Sequence, residues 1–294
     1  MNAMEYLAPE TLDDACRALA RDGAYCLAGG QSLVAMMNLG LATPERLVSL
    51  RRIAALRGIE TTADGALRIG AMTTHAELTQ LADGTAAASL LAQTARVVAY
   101  PAVRNRGTIG GAVALADPAA DYPVALVALN AIIDIASDRA TRTVPARDFF
   151  HGMFETSLAP GEIVSAVRLP ALRPGTGVAY EKLSVVAGDF GIVSVAAVVS
   201  VEETAPVTTG ARDADIRVAV GGYAMKPILL SALGRCDDPV EAAAQQLAIH
   251  GDPPGDHRAS SAYRRRVTPA LIERAVAAAR KSAPRPTLRA RERG

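Results

Sequence analysis

Tryptophan is absent from this chain of 294 residues, and aromatic side chains make up only 4% of it. A single-stranded nucleic-acid platform needs aromatic faces for stacking, so that class is disfavoured. A surplus of one charge is lacking too. Lys plus Arg is 31 and Asp plus Glu is 30, which leaves no basic footprint for a nucleic acid. Cysteine is scarce. Cys16, Cys26 and Cys236 stand far apart, with no C-x-x-C pair, so no metal or iron–sulfur site is expected from this chain alone. Three scattered cysteines suit a reducing compartment. "MNAMEYLAPETLDDACRAL" has no charged-then-apolar leader, and no apolar run reaches the ~18 residues of a membrane span. The expected location is the cytoplasm.

Two absences concern phosphate chemistry. The chain carries "CLAGGQSLVAMM" from Cys26 and "NRGTIGGAVALADPAADYP" from Asn105. Each has a Gly-Gly pair beside a small hydroxylated residue, Ser32 and Thr108. Neither has the lysine of a P-loop, and neither reads G-x-G-x-x-G. No acid follows about 20 residues on as a ribose anchor, so a nicotinamide dinucleotide in an ordinary Rossmann crevice is disfavoured. Glycines let backbone N–H groups approach a ligand closely. One such bend is more simply a tight turn. Two suggest a diphosphate, belonging to a dinucleotide, clamped from both sides.

Local signals place these bends. "PETLDDACRALARDG" (9–23) predicts a helix with Thr11 as N-cap, Asp13 and Asp14 in its first turn and Gly23 just past its end. "AYCLAGG" predicts a short buried strand running into the first bend, "SLVAMMNLG" a short helix, and "RLVSL" another strand. Thr74 and Glu77 have capping-box spacing, and 85–99 is Ala-rich and helical. After the second bend come a helix at Tyr122–Leu129, strand-like pieces in "AIIDIAS" and "RTVPARDFF", and a strand at 162–170 stopped by Pro170. "LRPGTG" (172–177) reads as a domain joint. Beyond it, paired strands over 178–203 and another in "ADIRVAVGGYAMKP" precede two helices, "PVEAAAQQLA" and "TPALIERAVAAARK". Thr268 is the expected N-cap of the last, with Pro269 at its first position. "KSAPRPTLRARERG" closes the chain with five basic residues against one acid, a composition expected to be disordered.

Taken together, "LAGGQSL", "NRGTIGGAVALADPAADYP" and "YEKLSVVAGDF" resemble the FAD-binding medium subunit of molybdenum hydroxylases of the carbon monoxide dehydrogenase, xanthine dehydrogenase and aldehyde oxidase type. "GDHRASSAYRRRVTPALIERAVAAA" resembles the family's C-terminal segment, so the likeness runs over almost the whole chain. It implies an α/β (α+β) fold: a two-part FAD-binding unit of the vanillyl-alcohol oxidase type at 1–57 and 58–175, then a C-terminal α/β domain of the carbon monoxide dehydrogenase flavoprotein type at 176–282, with a tail at 283–294. It implies non-covalent FAD. It further implies a large partner subunit with molybdenum and a pterin, and a small one with two [2Fe–2S] clusters. Electrons would pass from those clusters through FAD to an external acceptor. Two clusters need about eight thiolates, which three cysteines cannot supply.

The resemblance also implies site residues. Ala28, Gly29, Gly30, Gln31, Ser32, Leu33 and Val34 match the first loop around the diphosphate, where Leu33 and Val34 read equally well as core. Thr108, Gly110, Gly111 and Ala112 match the second, with Ile109 as core. Asp121 matches an acid that bonds flavin-nucleotide hydroxyls or amides; alternatively it caps the helix at 122. Ile163 and Val164 match the strand that faces the adenine. Lys182 and Asp189 match a loop near the isoalloxazine, where a cation would stabilise reduced flavin; alternatively Lys182 is a solvated strand end. Two positions depart from the pattern. Ala112 stands where Asn, Asp or Ser is common, which removes one side-chain hydrogen bond of about 1 kcal/mol. Val185 and Val186 stand where Arg is frequent. His75, His151, His250 and His257 read as surface or packing residues, and no catalytic triad or carboxylate pair is expected. The rivals to an electron-transfer subunit are a free-standing FAD oxidase of the same superfold and a scaffold that has lost its flavin.

Overall fold

The computed structural model describes residues 4–81, 84–201 and 213–284. The chain opens as β1 (Glu5–Leu7), α1 (Leu12–Leu19), β2 (Ala24–Leu27), α2 (Leu33–Asn38) and β3 (Arg46–Ser49). All three strands are parallel, in the order β1-β3-β2. Thr11 caps α1 as expected, its Oγ1 accepting from the Asp14 amide at 3.2 Å. The helix is shorter than 9–23: Ala20 already caps it, and Gly23, at φ +69°, turns the chain toward β2. Nor is β2 buried. It lies at the sheet edge, with Tyr25 and Cys26 exposed, because β3 takes the centre.

The second sheet is antiparallel throughout. It uses β4 (Ile59–Thr61), β5 (Leu67–Gly70), β6 (Ile132–Ala136), β7 (Thr141–Pro145) and, after the short elements described below, β10 (Ile163–Leu169). The order is β4-β5-β10-β6-β7. Between β5 and β6 run α3 (His75–Thr79), α4 (Ala86–Val97), α5 (Pro101–Arg104), α6 (Ile109–Leu115) and α7 (Asp121–Ala128). The capping box of α3 is complete: Thr74 Oγ1 accepts from the Glu77 amide, and Glu77 Oε2 accepts from the Thr74 amide at 2.7 Å. Every residue of α7 is buried. "RTVPARDFF" is not one strand. Pro145 offers no N–H to the ladder and ends β7, and the chain turns through α8 (Ala146–Phe149) into a small hairpin of β8 (Phe150–Gly152) and β9 (Glu155–Thr156).

The third sheet, β11 (Gly177–Leu183), β12 (Val193–Val201), β13 (Asp213–Gly221) and β14 (Ile228–Leu230), is antiparallel in sequence order. Strand periodicity splits its side chains between two cores. Val195, Ala197, Val199, Ile216, Val218 and Val220 pack with α9 (Pro239–Ala248) and α10 (Ser261–Ser282), while Ala196, Val198 and Ala219 join the core shared with α4 and α7. Helix α10 corrects the sequence reading. It starts at Ser261, with Ser260 Oγ accepting from the Tyr263 amide, and runs straight through Pro269. Thr268 is no cap: it is fully buried, and its hydroxyl donates to the Arg264 carbonyl at 2.7 Å. The first two turns are fixed from outside the helix. Arg264 donates to the carbonyls of Ile192 and Gly222 and pairs with Asp256 at 2.7 Å. Of the expected tail, 285–294 lies outside the described residues.

Candidate functional site

The two glycine bends, far apart in sequence, meet. At Gly29 a Cβ would lie 2.1 Å from the Arg106 carbonyl oxygen and 2.8 Å from Gly107 Cα, so only glycine allows the contact. At Gly111 a Cβ would lie 3.4 Å from Ala28 Cβ, closing the same seam from the other side. A cleft of about 340 Å³ lies along it, near the lower end of ligand-site volumes. Ala28, Gly29, Gly30, Gln31, Ser32 and Leu33 border it on one side, and Thr108, Gly110, Gly111 and Ala112 on the other. Ile163 and Val164, both buried, form part of the wall from β10. Val34 does not face the cleft. It is exposed, with its Cγ2 over Gly30.

The bends differ in what their amides do. The N–H groups of Gln31, Ser32 and Leu33 donate to no acceptor among the described residues, and the Ser32 hydroxyl makes no capping bond. Gly30 sits at φ +74°, the left-handed turn that leaves this run open. In the second bend the amides are spent. Ile109 donates to Thr73 O, Gly110 to Ala71 O, Gly111 to Thr108 Oγ1 and Ala112 to Thr108 O. Gly110 is glycine for packing, since a Cβ there would meet Ala71 Cβ at 2.5 Å. Open donors therefore lie on one side of the cleft, where two were expected, because acceptors at the end of β5 claim the Ile109 and Gly110 amides of the second bend.

Three expected contacts lie away from the cleft. Asp121 is the first residue of α7, not its cap, and its carboxylate accepts from Tyr180 Oη at 2.8 Å and Lys182 Nζ at 2.9 Å. Lys182 also donates to Val97 O, and both side chains are nearly fully buried. Lys182 is thus neither a solvated strand end nor part of the cleft wall; it is the cation of an ion pair joining β11 to α7. Burial holds the Asp121 carboxyl above the ordinary range, against the opposing pull of Lys182 and Tyr180. Asp189 lies in the loop after β11, and its carboxylate accepts from the Phe190 amide. Val185 and Val186, in the same loop, are exposed.

The cleft also takes in Tyr25, Cys26, Met72, His75, Leu158 and Glu162, which no motif pointed to. Among the described residues Glu162 is the one carboxylate on its wall. Arg142 grips it with two bonds, at 2.8 and 2.6 Å, and holds its carboxyl below the usual range. Among the described residues no Lys or Arg lines the cleft. An anion there would meet backbone amides and a hydroxyl, not side-chain cations.

Comparison with known proteins decides the family. The model of the FAD-binding domain in molybdopterin dehydrogenase matches residues 2–172, and that of the carbon monoxide dehydrogenase flavoprotein C-terminal domain matches 178–279. The chain belongs to the molybdopterin dehydrogenase flavoproteins. It is 35% identical to the glyceraldehyde dehydrogenase medium chain of Sulfolobus acidocaldarius, over 92% of this chain and 96% of that one. It is 34% identical to the nicotine 6-hydroxylase medium subunit of Paenarthrobacter nicotinovorans, over 93% and 96%. Among solved structures it superposes on carbon monoxide dehydrogenase from Hydrogenophaga pseudoflava, a form lacking the Mo-pyranopterin moiety, with a TM-score of 0.87 and 35% identity, covering 96% of this chain and 98% of that one.

The family's FAD fits this cleft. The glycine seam brings both bends to the cleft, and the open amides of Gln31, Ser32 and Leu33 are donors of the kind that a diphosphate needs. Among the described residues no group of three or more His, Cys, Asp or Glu side chains is placed to hold a metal, and no helix is long and apolar enough to cross a membrane.

Proposed function

We propose that this flavoprotein is the FAD-holding subunit of a three-subunit molybdenum hydroxylase. The observation that supports it is the junction of the two bends, with three unclaimed amides on one side and a self-satisfied wall on the other. FAD bound here would supply a two-electron redox centre between the [2Fe–2S] clusters of a small partner subunit and an external acceptor, with molybdenum in a large partner. The amides of Gln31, Ser32 and Leu33 and the Ser32 hydroxyl hold the diphosphate, and Thr108, whose oxygen already accepts from Gly111, keeps its hydrogen for a ligand oxygen. Ala28, Gly30, Gly111 and Ala112 shape the walls, and Ile163 and Val164 pack on the adenine. Asp121 and Lys182 act at one remove, fixing α7 against β11. Each of the spans 1–57, 58–175 and 176–282 has a sheet of its own, which supports reading them as separate units.

Purified full-length chain, titrated with FAD, is expected to bind about one flavin per chain without covalent linkage, released intact on denaturation. Substrate is expected to bleach the flavin band only after both partner subunits are added. A chain that binds no FAD refutes the reading. Bleaching by substrate with the chain alone would instead establish a free-standing oxidase.

A further inference from the structure

His75 is the first residue of α3, and its backbone amide donates to the Gly107 carbonyl at 2.9 Å. That bond and the bridge between Thr74 and Thr108 tie the start of α3 to the second bend. The side chain is 5% exposed and borders the cleft. It lies on Gly107 so closely that a Cβ there would be 2.6 Å from Nε2. Gly107 Cα in turn abuts Gly29. His75, Gly107 and Gly29 therefore form one continuous stack, which ends at the loop that carries the open amides.

Neither ring nitrogen has a hydrogen-bond partner among the described residues. Nδ1 is buried and unbonded, and no described residue holds Nε2, which is the nitrogen nearer Gly107. The ring's one packing partner of note is Tyr122, with centroids 5.1 Å apart, and the Tyr122 hydroxyl is itself buried and unbonded. Folded proteins leave few buried polar groups unsatisfied, and each costs roughly 1–3 kcal/mol. Tyr122 lies behind the ring and not on the cleft, so it is the unclaimed imidazole at the wall that calls for a ligand with polar atoms. Burial, reinforced by Arg104, lowers the imidazole to about 4, so near neutrality it is uncharged, with one N–H to give and one lone pair to receive.

We propose that His75 is a ligand-contacting residue of this cleft, donating a hydrogen bond from its neutral imidazole to an oxygen in the diphosphate or adjoining polyol stretch of the bound dinucleotide. The proposal rests on the FAD reading above. An oxygen acceptor selects the tautomer with hydrogen on Nε2 and leaves Nδ1 as an acceptor, with Tyr122 the neighbouring unpartnered donor. Gly107 is then glycine so that the imidazole can reach past the second bend.

The test uses full-length chain as wild type, H75L and H75Q, with FAD and ADP as probes. H75L is expected to lose about tenfold in FAD affinity while the cofactor-free chain melts no lower, since an apolar side chain removes an unsatisfied buried group. H75Q, which keeps an N–H near the Nε2 position, is expected to stay within about threefold. In wild-type chain labelled with 15N-histidine, FAD should slow exchange of the His75 Nε2 proton and shift its resonance. ADP reproduces the shift if the acceptor is the diphosphate and fails to if it is the polyol. H75L binding FAD as tightly as wild type, or unchanged His75 signals in FAD-saturated wild type, overturns the proposal and leaves the FAD reading standing. A wild-type chain that binds no FAD overturns both. Should H75L fail to fold, the H75Q affinity and the wild-type resonances still decide.

Discussion

Replacing Gly29 with alanine tests the junction on which the site depends. The new methyl carbon would lie 2.1 Å from Arg106 O, 2.8 Å from Arg106 C and 2.8 Å from Gly107 Cα. All three are backbone atoms, so no side chain can rotate away. Restoring ordinary contact requires the two bends to part by about 1 Å, and over-packing of this kind costs roughly 1–3 kcal/mol. At roughly 2–4 °C per kcal/mol for domains of this size, the melting temperature should fall by about 4–12 °C if the strain reaches the upper part of that range. FAD affinity should fall more steeply than stability, because the first bend and the wall facing it can no longer touch one ligand together. The assay pairs thermal melts with fluorescence titration of FAD. S32A is the control: its hydroxyl caps nothing, so the melt should hold while affinity drops about three- to tenfold. A G29A chain with wild-type melting and wild-type affinity would show that the bends do not abut, and the site would have to be sought elsewhere.

Two further outcomes follow from buried charges. Lys182→Met leaves the Asp121 carboxylate in the interior with only Tyr180 for company, and should cost about 3–5 kcal/mol in urea denaturation; adding Asp121→Asn should return a good part of it. Stability should also decline on acidification because of His75. The folded imidazole titrates near 4, below its ordinary 6.5, so between those values the unfolded chain binds the proton first and the folded state loses about 3 kcal/mol as pH falls through the window. Denaturation midpoints against pH for wild type and H75L check this, since the variant should lack that part of the slope.

What could be read from the sequence was what local chemistry decides. The caps at Thr11 and Thr74 and the stop at Pro170 each depend on a few consecutive residues, and each is where it was expected. The start of α10 misled because Thr-Pro imitates a helix entrance. What extends the helix backward is Arg264, held by carbonyls of Ile192 and Gly222 that no local window contains. The exposure of β2 follows from strand order, which the strand itself does not encode. Within the site, the glycines were legible and the fate of their amides was not. Ala71 and Thr73 lie more than 30 residues before the second bend, and they take its Gly110 and Ile109 amides. In the same way Asp121 reads as a ligand group only until Tyr180 and Lys182, about sixty residues on, are brought against it.

The unequal state of the two bends sets how an empty chain waits for its cofactor. The Thr108 side is already cast: the amides of Ile109, Gly110, Gly111 and Ala112 all have acceptors within the fold. The run through Gln31, Ser32 and Leu33 is the unfinished half of the mould, which FAD bound as proposed would complete. If FAD binds as proposed, tightening on binding is confined to that one short stretch of backbone.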